Sequence, residues 1–258
     1  MNKKDLYMGV FYGVAALGLE LIPPLQEGDF LVGIDGGLSS LQKNHLQPDL
    51  IVGDFDSLGY LPSEGNVHAL PCQKDDTDLA YALKHGISLG YRDFFVQGCL
   101  GGRLDHSMGN FQLLSGLARE GMRGIFLGEG QGALCICNGS VEFPIGFEGY
   151  CSVFAINEDA TGVFLENLAY TGENLTLTPT IPLGVSNQFL PDKRAQISVK
   201  EGCLMILWQS QKGDYFSLLN GISYPSTNVV STLSTVPDEP NNVTCTTMLD
   251  LSENPRNG

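Results

Sequence analysis

Between residues 30 and 128, short apolar runs alternate with segments of helical period, and this alternation constrains the fold of the 258-residue chain most. The runs 30–34, 50–52, 94–96 and 125–127 are brief and bounded by Gly, Asp or Pro, as strands buried on both faces are. Between them, Leu79, Leu83 and Ile87 recur every fourth residue behind Thr77, which is placed as an N-cap. Leu104, Met108, Phe111 and Ala118 make a second stripe, ended by Gly121. Strands alternating with helices predict a doubly wound, Rossmann-like parallel sheet. Such sheets bind ligands beyond the carboxyl ends of their strands.

After about Gly132 the texture changes. Residues 133–138, 141–143, 151–156, 163–166, 197–199 and 204–208 are short strand candidates separated by Gly, Asn, Asp or Pro. This reads as a smaller β-sandwich. The expected division is an α/β domain over residues 1–130, a β-sandwich over 131–212 and a polar tail over 213–258 that is mobile or docked at an edge. In the stretch 223–258, 20 of 36 residues are Ser, Thr, Asn or Pro, which predicts a mobile or loosely docked tail. Leu218, Leu219, Val229 and Val230 could still add an edge strand there. At the other end, Lys3 and Lys4 precede an uncharged run over 6–19 that superficially resembles a signal peptide. Asp5 interrupts the basic region and no clean small-residue cleavage site follows. The run is too short to span a bilayer. It reads as a buried strand over 6–12, a turn at Gly13 and a short helix.

The formal charge of −15 includes no basic stripe, which argues against nucleic-acid binding by phosphate neutralisation. Seven cysteines include no CxxC pair. A disulfide framework or zinc site is therefore not expected, a reducing cytoplasm fits, and Cys135 and Cys137 read as strand core.

The acids are unevenly spread. Residues 29–78 hold nine acids against two bases, a local balance of −7. Asp35-Gly36-Gly37 follows one strand run, and Asp54-Phe55-Asp56-Ser57 follows another. Asp75-Asp76-Thr77-Asp78 opens the helix of Leu79 and Leu83. Carboxylates converging on one crevice repel each other without a counter-charge. Oxygen ligands of this kind suit magnesium with substrate phosphates. On an extended stretch, Asp54 and Asp56 would point the same way. The competing reading is that Gly-Asp and Asp-Ser are ordinary turn residues.

A cationic complement lies in Gly98-Cys99-Leu100-Gly101-Gly102-Arg103-Leu104-Asp105-His106, a glycine-rich turn into a helix start. Such a turn presents free N–H groups to an anion, and Arg103 adds a bidentate phosphate contact. Arg103, Ser107 and Asn110 share a helical face opposite the apolar stripe. Asp105 reads equally as an N-cap. No GxxxxGK[ST] motif occurs, so this is not a P-loop chain. Gly128-x-Gly130-x-x-Ala133 mimics a dinucleotide fingerprint, but a strand pattern follows it where a helix is required.

With those residues in hand, the chain resembles the thiamine pyrophosphokinase family. The matching blocks are Asp35-Gly36-Gly37, Gly53-Asp54-Phe55-Asp56-Ser57, Lys74-Asp75-Asp76-Thr77-Asp78, Gly101-Gly102-Arg103-Leu104-Asp105-His106 with Asn110, Leu168-Ala169-Tyr170 and Gly184-Val185-Ser186-Asn187. The resemblance implies pyrophosphoryl transfer from ATP to the thiamine hydroxyl, with release of AMP. It implies magnesium held by Asp54, Asp56 and Asp78, with Asp75 nearby in the catalytic group. Asp35, Gly36, Lys74, Thr77, Gly101, Gly102, Arg103, Asp105 and Asn110 would hold the ATP phosphates. Ser186, Asn187 and Tyr170 would face the thiamine ring, Tyr170 standing where many relatives carry tryptophan. A cytoplasmic homodimer is implied, its active site between the α/β domain of one subunit and the sandwich of the other. Two rival readings stay open on the residues alone. Asp54-x-Asp56-Ser57 echoes the nucleophile motif of haloacid-dehalogenase phosphatases, and the same fold could serve as a non-catalytic nucleotide or cation sensor.

Overall fold

The computed structural model describes residues 9–16, 24–55, 60, 62, 65–71, 76–210 and 213–225. The expected strand start before residue 9, the short helix after Gly13, most of the polar tail with Val229 and Val230, and the site candidates Asp56, Lys74 and Asp75 lie outside the described residues.

The parallel half alternates as its sequence predicts: β1 (Phe11–Val14), β2 (Phe30–Ile34), α1 (Gly37–Lys43), β3 (Leu50–Gly53), β4 (Val67–Ala69), α2 (Asp78–Ser88), β5 (Asp93–Gln97), α3 (Leu104–Arg119) and β6 (Arg123–Gly128). Neighbouring strands pair in parallel in the order β4-β3-β2-β1-β5-β6. The chain winds outward from β1 on one side and returns to β5 on the other. Gly13 is inside β1 rather than in a turn. It is a tight fit there, because a Cβ would lie 3.1–3.4 Å from Ile34 and Val96. Thr77 caps α2 as expected, its Oγ1 accepting the Ala80 N–H at 3.2 Å.

The Rossmann-like description is too narrow, because the sheet does not end at β6. Glu129 and Gly130 have φ of 48° and 71°, the left-handed pair that a two-residue hairpin requires. β6 therefore turns directly into antiparallel β7 (Gln131–Cys137). The mixed sheet continues through β13 (Glu201–Gln209) to β9 (Tyr150–Glu166). Residues 151–156 and 163–166, read from sequence as separate strands, are two ends of the 17-residue β9. Its first part pairs with β13 and with β11 (Gly184–Gln188), and its second part pairs with β10 (Gly172–Leu177) and β12 (Ala195–Ser198). With β8 (Ser140–Phe143) beside β12, the second layer folds over the first.

The core fills both faces. Between the layers, Phe143, Phe147, Phe189, Trp208 and Tyr215 pack with ring centroids 4.9–6.4 Å apart. The opposite face buries Phe11, Phe94 and Phe126 under α2 and α3. Cys137 and Cys203 face each other in register on β7 and β13, with Cα atoms 4.1 Å apart, and are disulfide-bonded. This overturns the expectation of no disulfide. The partners lie 66 residues apart in sequence, so no local spacing signals the pair. Cys99, Cys135 and Cys151 are buried free thiols.

One further expectation is corrected. The first turns of α3 do not bury the stripe: Leu104 is 82% and Met108 58% exposed, while Ser107, Leu114, Ser115, Leu117 and Ala118 face inward. There the inward positions hold the chain at residues 99–101, Ser107 bonding Gly101 and Asn110 the Cys99 carbonyl. The residues just after 212, expected as a polar tail that is mobile or docked at an edge, are docked. Asp214 caps α4 (Tyr215–Gly221) by accepting the Ser217 N–H, and Leu218 and Leu219 are fully buried in the interlayer core. β14 (Ile222–Ser223) then pairs with β8. Among the described residues, no helix is long and apolar enough to cross a membrane.

Two outcomes follow from this packing. Leu218→Ala, which empties a fully buried position, is expected to lower unfolding free energy by about 2–4 kcal/mol in urea titrations, a loss that a loosely docked tail would not show. His85, half-buried between Phe30 and His68 with ring centroids 6.4 and 5.2 Å away, is held below its usual 6.5 by burial and then by His68. The unfolded chain therefore takes up this proton first. The contribution of His85 is present above pH 6.5 and is lost as pH falls from there toward the lower folded value. Stability should drop as pH falls below 6.5, and His85→Gln should flatten that slope.

Candidate active site

The carboxyl edge of the parallel strands gathers the first group of candidates. Asp35 leaves β2 with φ 48°, and its N–H donates to the Val52 carbonyl at 2.7 Å, tying the turn to β3. Asp54 leaves β3 directly beside it. A Cβ on Gly53 would lie 3.0 Å from the Asp35 Cα, so the two chain ends touch at backbone level. Both aspartates are half-buried. Gly36 precedes α1, and Gly37 packs against the Val14 carbonyl so closely that any side chain would collide with it. Thr77 and Asp78 start α2, which connects two parallel strands and so begins at this same edge. Next to them, Asp76 accepts from Lys84 Nζ at 2.6 Å, a cation on α2 that the motif reading did not single out.

The extended geometry assumed for Asp54-x-Asp56 does not hold. Phe55 is 4% exposed with φ 59°, so the chain turns into its own core between the two acids and strand alternation cannot align them. Other acids of the segment have structural duties. Asp29 accepts the Val10 and Gln26 N–H groups, and Asp49 accepts the Leu31 N–H, each at 2.8 Å. These carboxylates tie down strand starts at the opposite edge from Asp35 and Asp54.

The glycine-rich loop over 98–103 follows β5 on this edge. Gly98, Gly101 and Gly102 have φ of 68°, 94° and 60°, which explains the need for glycine. The loop is held from behind by α3. Asn110 Nδ2 donates to the Cys99 carbonyl at 2.6 Å, and Ser107 Oγ accepts the Gly101 N–H at 3.2 Å. Ser107 and Asn110 thus share a helical face as expected, but they hold the loop. Arg103 is the N-cap residue of α3 without a side-chain cap bond, so Asp105 is not the cap. Instead the Arg103 guanidinium forks onto the Asp105 carboxylate, with Nε to Oδ1 at 3.1 Å. Arg103 and Asp105 are 70% and 66% exposed. This contact holds the Asp105 carboxyl below the usual carboxylate range and raises Arg103.

The candidates of the β half sit elsewhere. Ser186, with φ 62°, donates its N–H to Ser152 Oγ at 3.1 Å. It lines a cleft of about 280 Å³ together with Leu100 of the glycine loop, Phe111 of α3, and Gln131, Tyr150, Ser152, Phe154, Leu207 and Gln209 of the mixed sheet. Asn187 is 4% exposed, while Tyr170 is 69% exposed. Neither Tyr170 nor the aspartates line the cleft. Sequence reasoning found these strands but not the cleft, whose floor combines β7, β9 and β13, three strands far apart in the chain. Among the described residues, no group of three or more His, Cys, Asp or Glu side chains is placed to hold a metal.

Comparison with known proteins agrees with this two-part arrangement. The family model for the thiamin pyrophosphokinase catalytic domain matches residues 24–126, and that for the thiamin pyrophosphokinase vitamin B1 binding domain matches residues 140–204. A thiamine pyrophosphokinase of Bacillus subtilis is 27% identical over 205 residues, covering 72% of this chain and 92% of the relative. The crystal structure of a Bacillus subtilis thiamine pyrophosphokinase superimposes with a TM-score of 0.68 at 25% identity, covering 78% of this chain and 99% of that one. The yeast thiamin pyrophosphokinase structure shares the fold, with a TM-score of 0.62 at 14% identity, covering 84% of this chain and 90% of that one. With both halves matched in order along one mixed sheet, the chain belongs to the thiamin pyrophosphokinase family.

Proposed function

We propose that this enzyme transfers the pyrophosphoryl group of ATP to the hydroxyl of thiamine through residues at the carboxyl edge of its parallel strands. The observation that carries the residue assignment is the backbone contact that sets Asp35 and Asp54 side by side, on the edge that also holds the start of α2 and the glycine-rich loop. The thiamine oxygen bonds to the β-phosphorus as that atom's bond to the α,β-bridging oxygen breaks. AMP leaves, and the hydroxyl proton passes to a carboxylate or to water. Little covalent help is needed; alignment and charge neutralisation dominate.

Asp35, Gly36, Lys74, Thr77 and the loop residues Gly101, Gly102 and Arg103 would hold the phosphates. The Gly101 N–H already donates to Ser107, so the glycine loop would meet phosphate chiefly through Gly102 and the Arg103 side chain, with Asn110 supporting it from behind. Arg103 would exchange its exposed Asp105 partner for phosphate oxygens. The donor set suits magnesium: Asp54 and Asp78 offer only oxygen, the ligand type this ion prefers, and Asp56 with neighbouring Asp75 would complete it. Magnesium would neutralise phosphate charge when bound.

Residues 1–130 would form the ATP-binding part and 131–212 the part that binds thiamine and dimerises. Ser186 and Tyr170 present themselves on the β half. The exposed apolar side chains Leu104, Met108, Tyr150, Ile181, Leu183 and Val185 support a homodimer with its active site at the subunit interface. The ATP requirement supports a cytoplasmic location, with the Cys137–Cys203 bond as the observation that speaks against a fully reducing compartment.

Incubated with ATP, magnesium and thiamine, the protein should release AMP and thiamine diphosphate in equal amounts, and a chelator should abolish both. Asp54→Ala and Asp78→Ala should each lower kcat by about 10²–10³-fold in coupled AMP assays. ADP as product, or near-normal turnover in both variants, would overturn the assignment, and a phospho-aspartate trapped at Asp54 would point to a phosphatase.

A further inference from the structure

Asn187 and Tyr170 make a contact that assigns different work to each. Tyr170 lies between β9 and β10, where a short antiparallel pairing has just begun. Leu168 bridges Phe189, and the Ala169 N–H donates to the Gln188 carbonyl at 2.9 Å. At the next step, the Asn187 side chain takes the place of a strand neighbour. Its Oδ1 accepts the Tyr170 N–H at 2.9 Å, and its Nδ2 donates to the Tyr170 carbonyl at 2.7 Å. A carboxamide carries one carbonyl and N–H donors, as a peptide does, so it can pair both backbone groups of one residue at once. Oδ1 also accepts the Gln188 N–H at 2.9 Å. Both acceptor sites and one donor are therefore engaged, on a side chain only 4% exposed. The Tyr170 residue held by this pairing is 69% exposed.

We infer that Asn187 is a positioning residue for thiamine binding: it fixes the backbone of Tyr170, and the Tyr170 ring, rather than the Asn187 amide, meets the substrate. An engaged, buried amide has almost nothing left to offer a ligand, whereas an exposed ring on a fixed backbone loses little freedom on stacking. This inference rests on the proposed thiamine reading for its substrate, but the pairing itself does not.

The test compares the full-length protein with Asn187→Ala, Tyr170→Ala and the double variant, in steady-state kinetics and in amide hydrogen exchange of the peptide carrying Tyr170. Asn187→Ala should speed exchange at Tyr170 and raise the KM for thiamine about tenfold, leaving the KM for ATP within about twofold. In the Tyr170→Ala background, Asn187→Ala should add almost nothing. Asn187→Asp keeps the oxygen that accepts from Tyr170 and loses the donor to its carbonyl. It sets a carboxylate oxygen against the Tyr170 carbonyl, so it should raise the thiamine KM at least as much as alanine does, and it serves if the alanine variant does not fold. Fully additive effects would overturn the inference, because they would place Asn187 itself against thiamine. An unchanged thiamine KM despite faster exchange would also overturn it. Faster exchange in a protein that forms no thiamine diphosphate would overturn the proposed function and leave the pairing standing.

Discussion

The hairpin at Glu129 and Gly130 is the constraint on which the molecule depends, because it makes one sheet out of two kinds of strand. Its two left-handed residues reverse the chain tightly enough for β6 and β7 to pair from Gly128 and Gln131 onward. The Leu100 carbonyl packs so closely on Gly128 that a side chain there would collide with it. The turn therefore both changes the direction of the sheet and seats the glycine loop. A looser linker would leave the glycine loop and the β half to find each other by domain docking. Here they share a continuous hydrogen-bonded ladder, and Leu100 and Ser186 line the same cleft.

Around that ladder, polar side chains stand in for missing backbone partners. Ser107 and Asn110 complete the bonds of the glycine loop, Asn187 completes those of Tyr170, and Asp29 and Asp49 receive the free N–H groups at strand starts. Buried backbone groups without partners are costly, so these side chains fix loops and strand starts at both edges of the sheet in one conformation. Trp208 Nε1 is a buried side-chain nitrogen without a partner among the described residues. Its indole is closely packed over Gly132, where no larger residue fits.

Much of the framework was legible. The apolar runs at 30–34 and 50–52 became β2 and β3, the period through Leu79, Leu83 and Ile87 became α2, and Thr77 capped it. The stripe from Leu104 was misread in phase, because a helix with apolar and small polar residues on adjoining faces does not reveal which of them meets the sheet. β9 was cut in two because its bend carries polar residues such as Asn157 and Asp159 in solvent. The docked α4 was hidden by the polar composition that follows it.

For the site, strand-end aspartates, a glycine-rich turn and a nearby arginine are written into residue order, since each depends on local chain geometry and on which side chains bind oxygen anions or cations. Which acids are spent on backbone N–H groups, which cysteines meet, and which of Asn187 and Tyr170 stands in the open were settled only by packing. Those outcomes depend on the register between strands tens of residues apart, and a one-residue change of register would exchange the faces of every side chain involved.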